Sequence, residues 1–129
     1  AKGKDFATSL GPVLVTPDEL TDRQIGDGAD LRYDLTMVAR VNGEERSRGN
    51  FKDIFWTFSQ MIAHASQDVT LLPGEVLGSG TVGSGCLLEL GAEESGQWLQ
   101  TGDIVELEIE RLGILRNRVA SPEEMTVAR

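Results

Sequence analysis

The feature that most constrains the fold is a stretch of alternating polarity that ends in an Asn-Gly pair. From Leu31 to Val41 apolar residues occupy every second position, and mostly polar residues lie between them. A period of two predicts a half-buried strand. Asn42-Gly43 then offers the positive φ angles of a type I′ turn, and the polar segment 44–49 is expected to return as the partner strand. The sequence therefore predicts a β-hairpin.

The next segment changes to a helical period. Seven apolar residues are spaced at i, i+3, i+4, i+7, i+10, i+11 and i+14: Phe51, Ile54, Phe55, Phe58, Met61, Ile62 and Ala65. This spacing predicts one long amphipathic helix, with Asn50 as its N-cap and Asp53 in its first turn. Trp56 lies opposite the apolar stripe, so we expect it to be exposed. His64 lies on the flank and is interpreted as a surface residue, because no second metal ligand is near it.

Shorter patterns predict further turns and strands. The segments 71–77 and 99–105 share the pattern Leu-x-x-Gly-acidic-apolar-apolar, so each is expected to form a tight turn that leads into a strand. Gly113 is expected to turn the second strand into a hairpin. Residues 13–16 form a β-prone run, and 121–124, Ser-Pro-Glu-Glu, form a capping box. Strands dominate, which predicts an α+β class with an antiparallel or mixed sheet.

Residues 78–85, GSGTVGSG, contain the spacing Gly-x-Gly-x-x-Gly. A dinucleotide site needs a helix directly after such glycines, so that free N–H groups point at the pyrophosphate. Residues 86–90, CLLEL, instead predict a short strand, and no Lys-Ser or Lys-Thr pair follows for a phosphate loop. The sequence therefore argues against a nucleotide site, and the glycines taken alone are interpreted as turn residues.

Charge and composition argue against several partners. The chain carries 21 acidic and 12 basic residues, a net charge of -9, which repels nucleic acid and anionic lipid. No apolar run approaches the roughly 18 residues of a membrane span. We therefore expect neither nucleic acid nor a membrane as partner, and a cytoplasmic location. The single cysteine, Cys86, has no neighbouring base and is interpreted as a small buried hydrophobic residue.

Four segments, in order along the chain, resemble the C-terminal part of the fumarylacetoacetate hydrolase family: GKDFATSLGPVLVT, VNGEERSRGN, LLPGEVLGSGTVGSG and WLQTGDIVELEIERLG. The Gly-Lys segment and PGEVLGSGT are the most specific parts. Together with the periodicity, the resemblance implies a β-rich α+β fold: a mixed-sheet β-roll of the fumarylacetoacetase C-terminal type with one long amphipathic helix. It also implies a homodimer, and that residues 1–129 are the C-terminal portion of a single catalytic domain, a fragment of it.

The resemblance further implies a small oxo-acid substrate. Members of the family hydrolyse a carbon–carbon bond in fumarylacetoacetate, acylpyruvates and related β-diketo acids, and others are isomerases or decarboxylases of similar acids. Their shared cofactor is Mg²⁺ or Mn²⁺, which polarises neighbouring keto or enol oxygens, while a lysine adds positive charge where an enolate develops. Hydrolysis is the expected reaction, with isomerisation or decarboxylation as alternatives.

The resemblance also implies roles for single residues. Lys4 matches a catalytic lysine beside metal and substrate, and Thr8 matches a hydroxyl residue near the metal. Thr81, with Gly80 before it, matches a threonine that contacts substrate oxygens, and Glu89 matches a glutamate that orients a catalytic histidine. The metal carboxylates of the family precede the Gly-Lys segment and have no counterpart in this sequence. A non-catalytic fragment is therefore a further alternative.

Overall fold

The computed structural model describes the backbone of residues 7–127 and the side chains of residues 7–124. Strands β1 (Gln24–Ile25) and β2 (Arg32–Tyr33) form a small antiparallel sheet. A four-stranded sheet has the order β4-β3-β5-β6, and its strands are β3 (Thr36–Val41), β4 (Glu44–Asn50), β5 (Ile104–Ile109) and β6 (Gly113–Arg118). The helices are α1 (Phe58–Ala65), α2 (Ala92–Ser95) and α3 (Pro122–Val127), with 3₁₀ helices at Pro17–Arg23, Gly28–Asp30 and Phe51–Asp53.

The predicted hairpin is confirmed. Asn42 and Gly43 have φ angles of 53° and 80°, which are the left-handed values that a type I′ turn requires. Strands β3 and β4 pair from the turn to Thr36 opposite Asn50, with one irregularity in register beside Ala39. The hairpin therefore forms one half of the larger sheet, and β5 pairs with the other edge of β3.

The strand predicted from Leu31 to Val41 is interrupted. The Leu35 N–H donates to the Tyr33 carbonyl oxygen at 3.1 Å, so the chain turns tightly between β2 and β3. This turn places the Leu35 side chain in the core, where it is 3% exposed. The pattern located the apolar positions, but β2 pairs with β1 and not with the larger sheet, which divides the strand in two.

The long amphipathic helix predicted for residues 51–65 is wrong. Asn50 caps only a short 3₁₀ helix, in which its Oδ1 accepts the Lys52 N–H at 3.0 Å. Helix α1 begins at Phe58, after Thr57 has formed a full capping box with Gln60. Both cap residues have extended backbone, as N-caps require. The second cap therefore breaks the apolar stripe between two shorter elements.

The two faces of the larger sheet differ. One face carries charged pairs: Arg40 with Glu108 at 2.6 Å and Arg116 with Glu106 at 3.3 Å. The opposite face contacts the segment between α1 and β5, since Gly49 on this face lies against the Val82 side chain. The segment that contains the glycine run is thus fixed to one face of the sheet.

Other predictions for the last third of the chain have mixed outcomes. The turn before β5, the hairpin at Gly113 and the capping box at Ser121 are confirmed. The turn in 71–77 forms, but the chain after it runs to Val82 without strand pairing. The predicted strands at 13–16 and 86–90 are wrong: the first is extended without a partner strand, and the second forms successive turns.

The β-rich α+β class is confirmed, with one correction to the sheet. Every strand pairing in the described part of the chain is antiparallel, so a mixed sheet is not observed there. No helix within residues 7–127 is both long and apolar enough to cross a bilayer.

Asn42 joins the hairpin turn to the start of β5, and this link can be tested. Its Oδ1 accepts the Ile104 N–H at 2.9 Å, and its Nδ2 donates to Asp103 at 2.8 Å. Asn42→Gly should lower the free energy of unfolding by about 1–2 kcal/mol, because both side-chain bonds are lost while the positive φ is kept. Asn42→Ala should cost about 1 kcal/mol more, because alanine resists that φ. Urea denaturation measures both, and a Gly variant as stable as the wild type would contradict the link.

Candidate functional site

A cleft of about 540 Å³ is lined by the glycine run and by the segment that follows β4. Its polar wall is formed by Ser79, Gly80 and Thr81. The rest of its lining is largely apolar and includes Met37, Ile54, Phe55, Trp56 and Met61. The cleft therefore offers hydroxyl and backbone groups together with rings and alkyl groups, a combination that is typical of small-molecule sites.

The glycine run is held against β4 by close packing. A Cβ atom at Gly49 would lie 3.2 Å from the Val82 side chain, so glycine permits this approach. Next to it, the Ser47 and Ser84 hydroxyls lie 3.3 Å apart at hydrogen-bond distance. The Gly85 N–H donates to the Val82 carbonyl oxygen at 2.9 Å and closes a tight turn. The polar wall is thus positioned by a turn that rests on the sheet.

Residues 54–56, called the aromatic wall below, are held by hydrogen bonds to their backbone. The Arg32 guanidinium donates to the carbonyl oxygens of Ile54 and Phe55 at 3.1 Å and 3.4 Å. The Thr57 side chain is fully buried, and its hydroxyl donates to the Ala29 carbonyl oxygen at 2.5 Å. These bonds tie the wall to the chain around β2. The Phe55 and Trp56 rings meet edge to face, with their centroids 4.9 Å apart.

Two charged residues contribute to the cleft lining, Arg48 and Asp53. Strand alternation places the Arg48 side chain on the sheet face opposite Gly49. There it donates two hydrogen bonds to the Glu45 carboxylate, at 2.9 Å and 2.6 Å. These bonds lower the pKa of Glu45 and raise the pKa of Arg48. The one cationic residue of the described lining is therefore already paired with a carboxylate.

Below the cleft, Asp34 holds the segment after β4 in place. Its Oδ1 accepts hydrogen bonds from Asn50 Nδ2 at 2.7 Å and from Lys52 Nζ at 3.2 Å. The hydrogen bond from Asn50, followed by that from Lys52, lowers the pKa of Asp34 from its ordinary value of 3.8. Asn50 lines the cleft, so the Asp34 carboxylate orients a residue of the cleft lining.

The structure brings two of the sequence-predicted site residues together. Gly80 and Thr81 lie side by side in the cleft, and Gly80 has a φ of 82° that favours glycine. Thr8 is exposed in an extended segment and does not line the cleft, and Glu89 is exposed among the turns of 86–91. Lys4 lies outside the described residues. The roles of all five residues stay predictions.

Other interpretations from the sequence have different outcomes. Trp56 is 62% exposed, as predicted. His64 is exposed, as predicted, and lines a separate cavity of about 410 Å³ together with Trp56, Gln60 and Met61. Cys86 is exposed, so its interpretation as a buried hydrophobic residue is wrong. Cys86 lies in the successive turns at 86–90 and does not belong to the core.

The described residues do not fit a metal site. Within residues 7–127 no three side chains of His, Cys, Asp or Glu are grouped so that they could hold an ion. Glu89 does not join such a group. The expected Mg²⁺ or Mn²⁺ therefore has no ligand set among the residues described.

Sequence reasoning missed the aromatic wall. The helical period placed Ile54 and Phe55 on a core-facing stripe, whereas Phe55 is 78% exposed at the cleft. The pattern Thr57-x-x-Gln60 was the available indication, because a capping box starts a helix and so ends any helix before it. A search for caps inside the apolar stripe would have separated the wall from α1.

Comparisons with known proteins agree on one family. The family described as fumarylacetoacetate (FAA) hydrolase C-terminal matches residues 1–120. The chain is 37% identical over 122 residues to a 2,4-didehydro-3-deoxy-L-rhamnonate hydrolase of Sphingomonas sp. (strain SKA58), covering 92% of this chain and 38% of that protein. It is also 37% identical over 120 residues to the mitochondrial oxaloacetate tautomerase FAHD2A of Homo sapiens, covering 91% of this chain and 34% of that protein.

A solved structure is also similar. The fumarylacetoacetate hydrolase of the psychrophilic Exiguobacterium antarcticum matches with a TM-score of 0.64 and 32% identity. The match covers 88% of this chain and 36% of that one. The chain thus spans between a third and two fifths of the length of these relatives.

The packing of Val82 on Gly49 predicts a specific coupling. Gly49→Ala should lower the free energy of unfolding by about 1–2 kcal/mol, because the new methyl group meets the Val82 side chain. In a Val82→Gly background the same change should cost much less, because the Val82 Cβ itself lies 3.2 Å from the new methyl group and only glycine removes it together with both γ carbons. Urea denaturation of the two single variants and the double variant gives the coupling energy.

The matched control is Gly83→Ala, since a Cβ at Gly83 would meet no atom within 4 Å and its φ is not positive. This variant should unfold like the wild type. Additive effects of Gly49→Ala and Val82→Gly would contradict the proposed contact.

The lowered pKa of Asp34 predicts how its stabilising effect depends on pH. The carboxylate stabilises the fold above pH 3.8, its ordinary pKa, and the effect is lost as the pH falls through the lower folded pKa. The stability difference between the wild type and Asp34→Asn should therefore be full at pH 7 and disappear in the acid range below 3.8. Urea denaturation at a series of pH values measures it, and a difference independent of pH would contradict the role of the charge.

Proposed function

The chain belongs to the fumarylacetoacetate hydrolase family, and on that premise we propose that it is part of a metal-dependent enzyme that hydrolyses a carbon–carbon bond in a β-diketo acid. The substrate class is fumarylacetoacetate-like or acylpyruvate. The observation that carries the proposal is the position of Thr81 and Gly80 in the wall of the 540 Å³ cleft. A resemblance in sequence and a cleft in the structure thus point to the same two residues.

The reaction adds water across the bond between a carbonyl carbon and the neighbouring methylene carbon. An acylpyruvate and one water molecule give a carboxylic acid and pyruvate. The electron pair of the broken bond is left on the methylene carbon as an enolate, which takes a proton. Because negative charge develops on the enolate oxygen, hydrogen-bond donors near that oxygen accelerate the step.

In this proposal Thr81 donates a hydrogen bond to a substrate oxygen. No hydrogen bond to another described residue engages the Thr81 hydroxyl, so the hydroxyl is available to a ligand. The absence of a side chain at Gly80 lets the substrate approach the backbone closely. No step is assigned to a metal, because the described residues offer no group to hold it. Mg²⁺ or Mn²⁺, Lys4, Thr8 and Glu89 keep the roles that the resemblance implies for them.

Isomerisation is a second candidate, and one observation favours it. The human relative with 37% identity is named an oxaloacetate tautomerase. Tautomerisation also passes through an enolate, and it requires proton transfer without cleavage. The two reactions are separated by their products, because hydrolysis releases two acids and tautomerisation only changes the ratio of keto to enol form.

We further propose that the protein forms a homodimer. Many large apolar side chains are exposed, among them Leu14 at 94%, Val76 at 71% and Val69 at 60%. Exposed apolar side chains in this number support contact with further protein surface.

The cytoplasmic location stays a prediction, and the human relative carries the word mitochondrial in its name.

The test is turnover of 2,4-dioxopentanoate and of oxaloacetate with Mg²⁺ and with Mn²⁺. Release of acetate and pyruvate supports hydrolysis, and interconversion of the oxaloacetate tautomers without product acids supports isomerisation. Thr81→Val should lower kcat/KM about 100-fold if the hydroxyl stabilises the developing enolate. Thr70→Val, which changes an exposed threonine outside the cleft, should leave it unchanged. Equal rates for both variants would contradict the role of Thr81.

A further inference from the structure

The cleft that the glycine run lines also carries large exposed rings. Phe55 and Trp56 are 78% and 62% exposed, and both line the cleft. Aromatic rings with this exposure beside a polar loop are available to a ligand, since a planar π face packs well against CH groups and other rings. Neither ring has a role in the proposed chemistry at Thr81.

The aromatic wall is set in place before any ligand binds. Two hydrogen bonds from Arg32 hold the backbone of Ile54 and Phe55, and the buried Thr57 holds the end of the wall. Arg32 also donates to the Asp30 carbonyl oxygen at 3.0 Å, so its guanidinium is committed to backbone oxygens. A preorganised wall loses less entropy on binding, which increases the affinity of the contact.

The electrostatics of this wall disfavour a second negative charge on the ligand. Arg48 points to the opposite face of β4 and is paired with Glu45. Asp53, the other charged residue of the lining, is acidic, and the chain as a whole carries a net charge of -9. A carboxylate beside the aromatic wall would meet the negatively polarised faces of the rings and the acidic Asp53, and it would gain no unpaired cation from the described lining.

We propose that Trp56 and Phe55 select the substrate by the end that lies away from Thr81. The preferred ligand is an oxo acid whose far end is uncharged and rich in CH groups, such as an alkyl, aryl or deoxy-sugar group, and which stacks on the Trp56 ring. An oxo acid with a carboxylate at its far end, fumarylacetoacetate and oxaloacetate included, is selected against, so the inference narrows the proposed substrate class to acylpyruvates with an uncharged acyl group. This inference rests on the proposed function, because the oxo-acid end is placed at Thr81.

The test uses two oxo acids of equal length that differ at the far end. 2-Oxohexanoate ends in a methyl group and 2-oxoadipate ends in a carboxylate, and pyruvate lacks the tail. Their dissociation constants are measured by titration calorimetry in the presence of Mg²⁺, so the readout does not depend on turnover. 2-Oxohexanoate is expected to bind about tenfold tighter than 2-oxoadipate, because only its tail is compatible with the aromatic wall.

Variants of the two tryptophans of the chain locate the effect. Trp56→Ala should weaken the binding of 2-oxohexanoate about tenfold and leave the binding of pyruvate nearly unchanged, because only the tail reaches the ring. Trp56→Phe should recover part of the loss. The matched control is Trp98→Ala, since Trp98 lines a different cavity next to Leu87 and Leu99, and it should bind all three acids like the wild type.

Several results would overturn the inference. Equal or tighter binding of 2-oxoadipate would show that the far end is not selected for lack of charge. If Trp56→Ala weakened the binding of pyruvate as much as that of 2-oxohexanoate, Trp56 would not be the cause of the preference. The same would follow if Trp98→Ala weakened the binding of 2-oxohexanoate alone. A Trp56→Ala variant with unchanged affinities but an altered oligomeric mass would assign the rings to a protein interface.

Failure of the proposed function has a different signature. In that case no acylpyruvate or oxaloacetate is turned over and none of the three oxo acids binds, so both proposals fall together. If an oxo acid is turned over and binds while the preference for an uncharged far end is absent, only the role of the aromatic wall is wrong.

Discussion

The structure depends on the antiparallel pairing of β3 with β5. This pairing joins residues 37–41 to residues 105–109, and every residue of the cleft lining except Met37 lies in the chain between them. Closing so long a loop costs conformational entropy, which the ladder and its neighbours must offset. The side chain of Asn42 reinforces the junction, because it bonds both the start of β5 and Asp103 just before it. Loss of this junction would separate the hairpin from the strand that closes the loop.

On this scaffold the cleft is built from irregular segments. The glycine run and the aromatic wall are irregular chain, held by a few specific contacts: Val82 on Gly49, Thr57 on Ala29 and Arg32 on the carbonyl oxygens of the wall. Irregular segments supported by a rigid sheet are where binding groups concentrate, since their backbone groups are not consumed by a ladder. The departures from regular structure therefore coincide with the candidate site.

The cleft contains two kinds of binding group. Thr81 and Gly80 offer hydrogen bonding and close backbone approach, whereas Trp56 and Phe55 offer rings. An oxo acid is itself two-sided, with oxygens at one end and a variable group at the other. In our proposals the family chemistry belongs to the first kind of group and the choice among oxo acids belongs to the second.

The sequence by itself determined the features that depend on a few adjacent residues. The Asn42-Gly43 turn, the hairpin at Gly113 and the capping box at Ser121 were all predicted, because turn and cap geometry follows from local backbone preferences. The family resemblance implied a substrate contact for Thr81, and Thr81 lines the cleft. Only the tertiary structure decided how the apolar runs are used. The Thr57–Gln60 capping box is a local signal that starts α1 after Phe55, but the place of the exposed Phe55 segment is fixed by the Thr57 hydroxyl, which bonds to the Ala29 carbonyl oxygen 28 residues away. Likewise, the glycine run becomes one wall of a cleft because Val82 packs on Gly49, and such long-range contacts leave no periodic trace in the sequence.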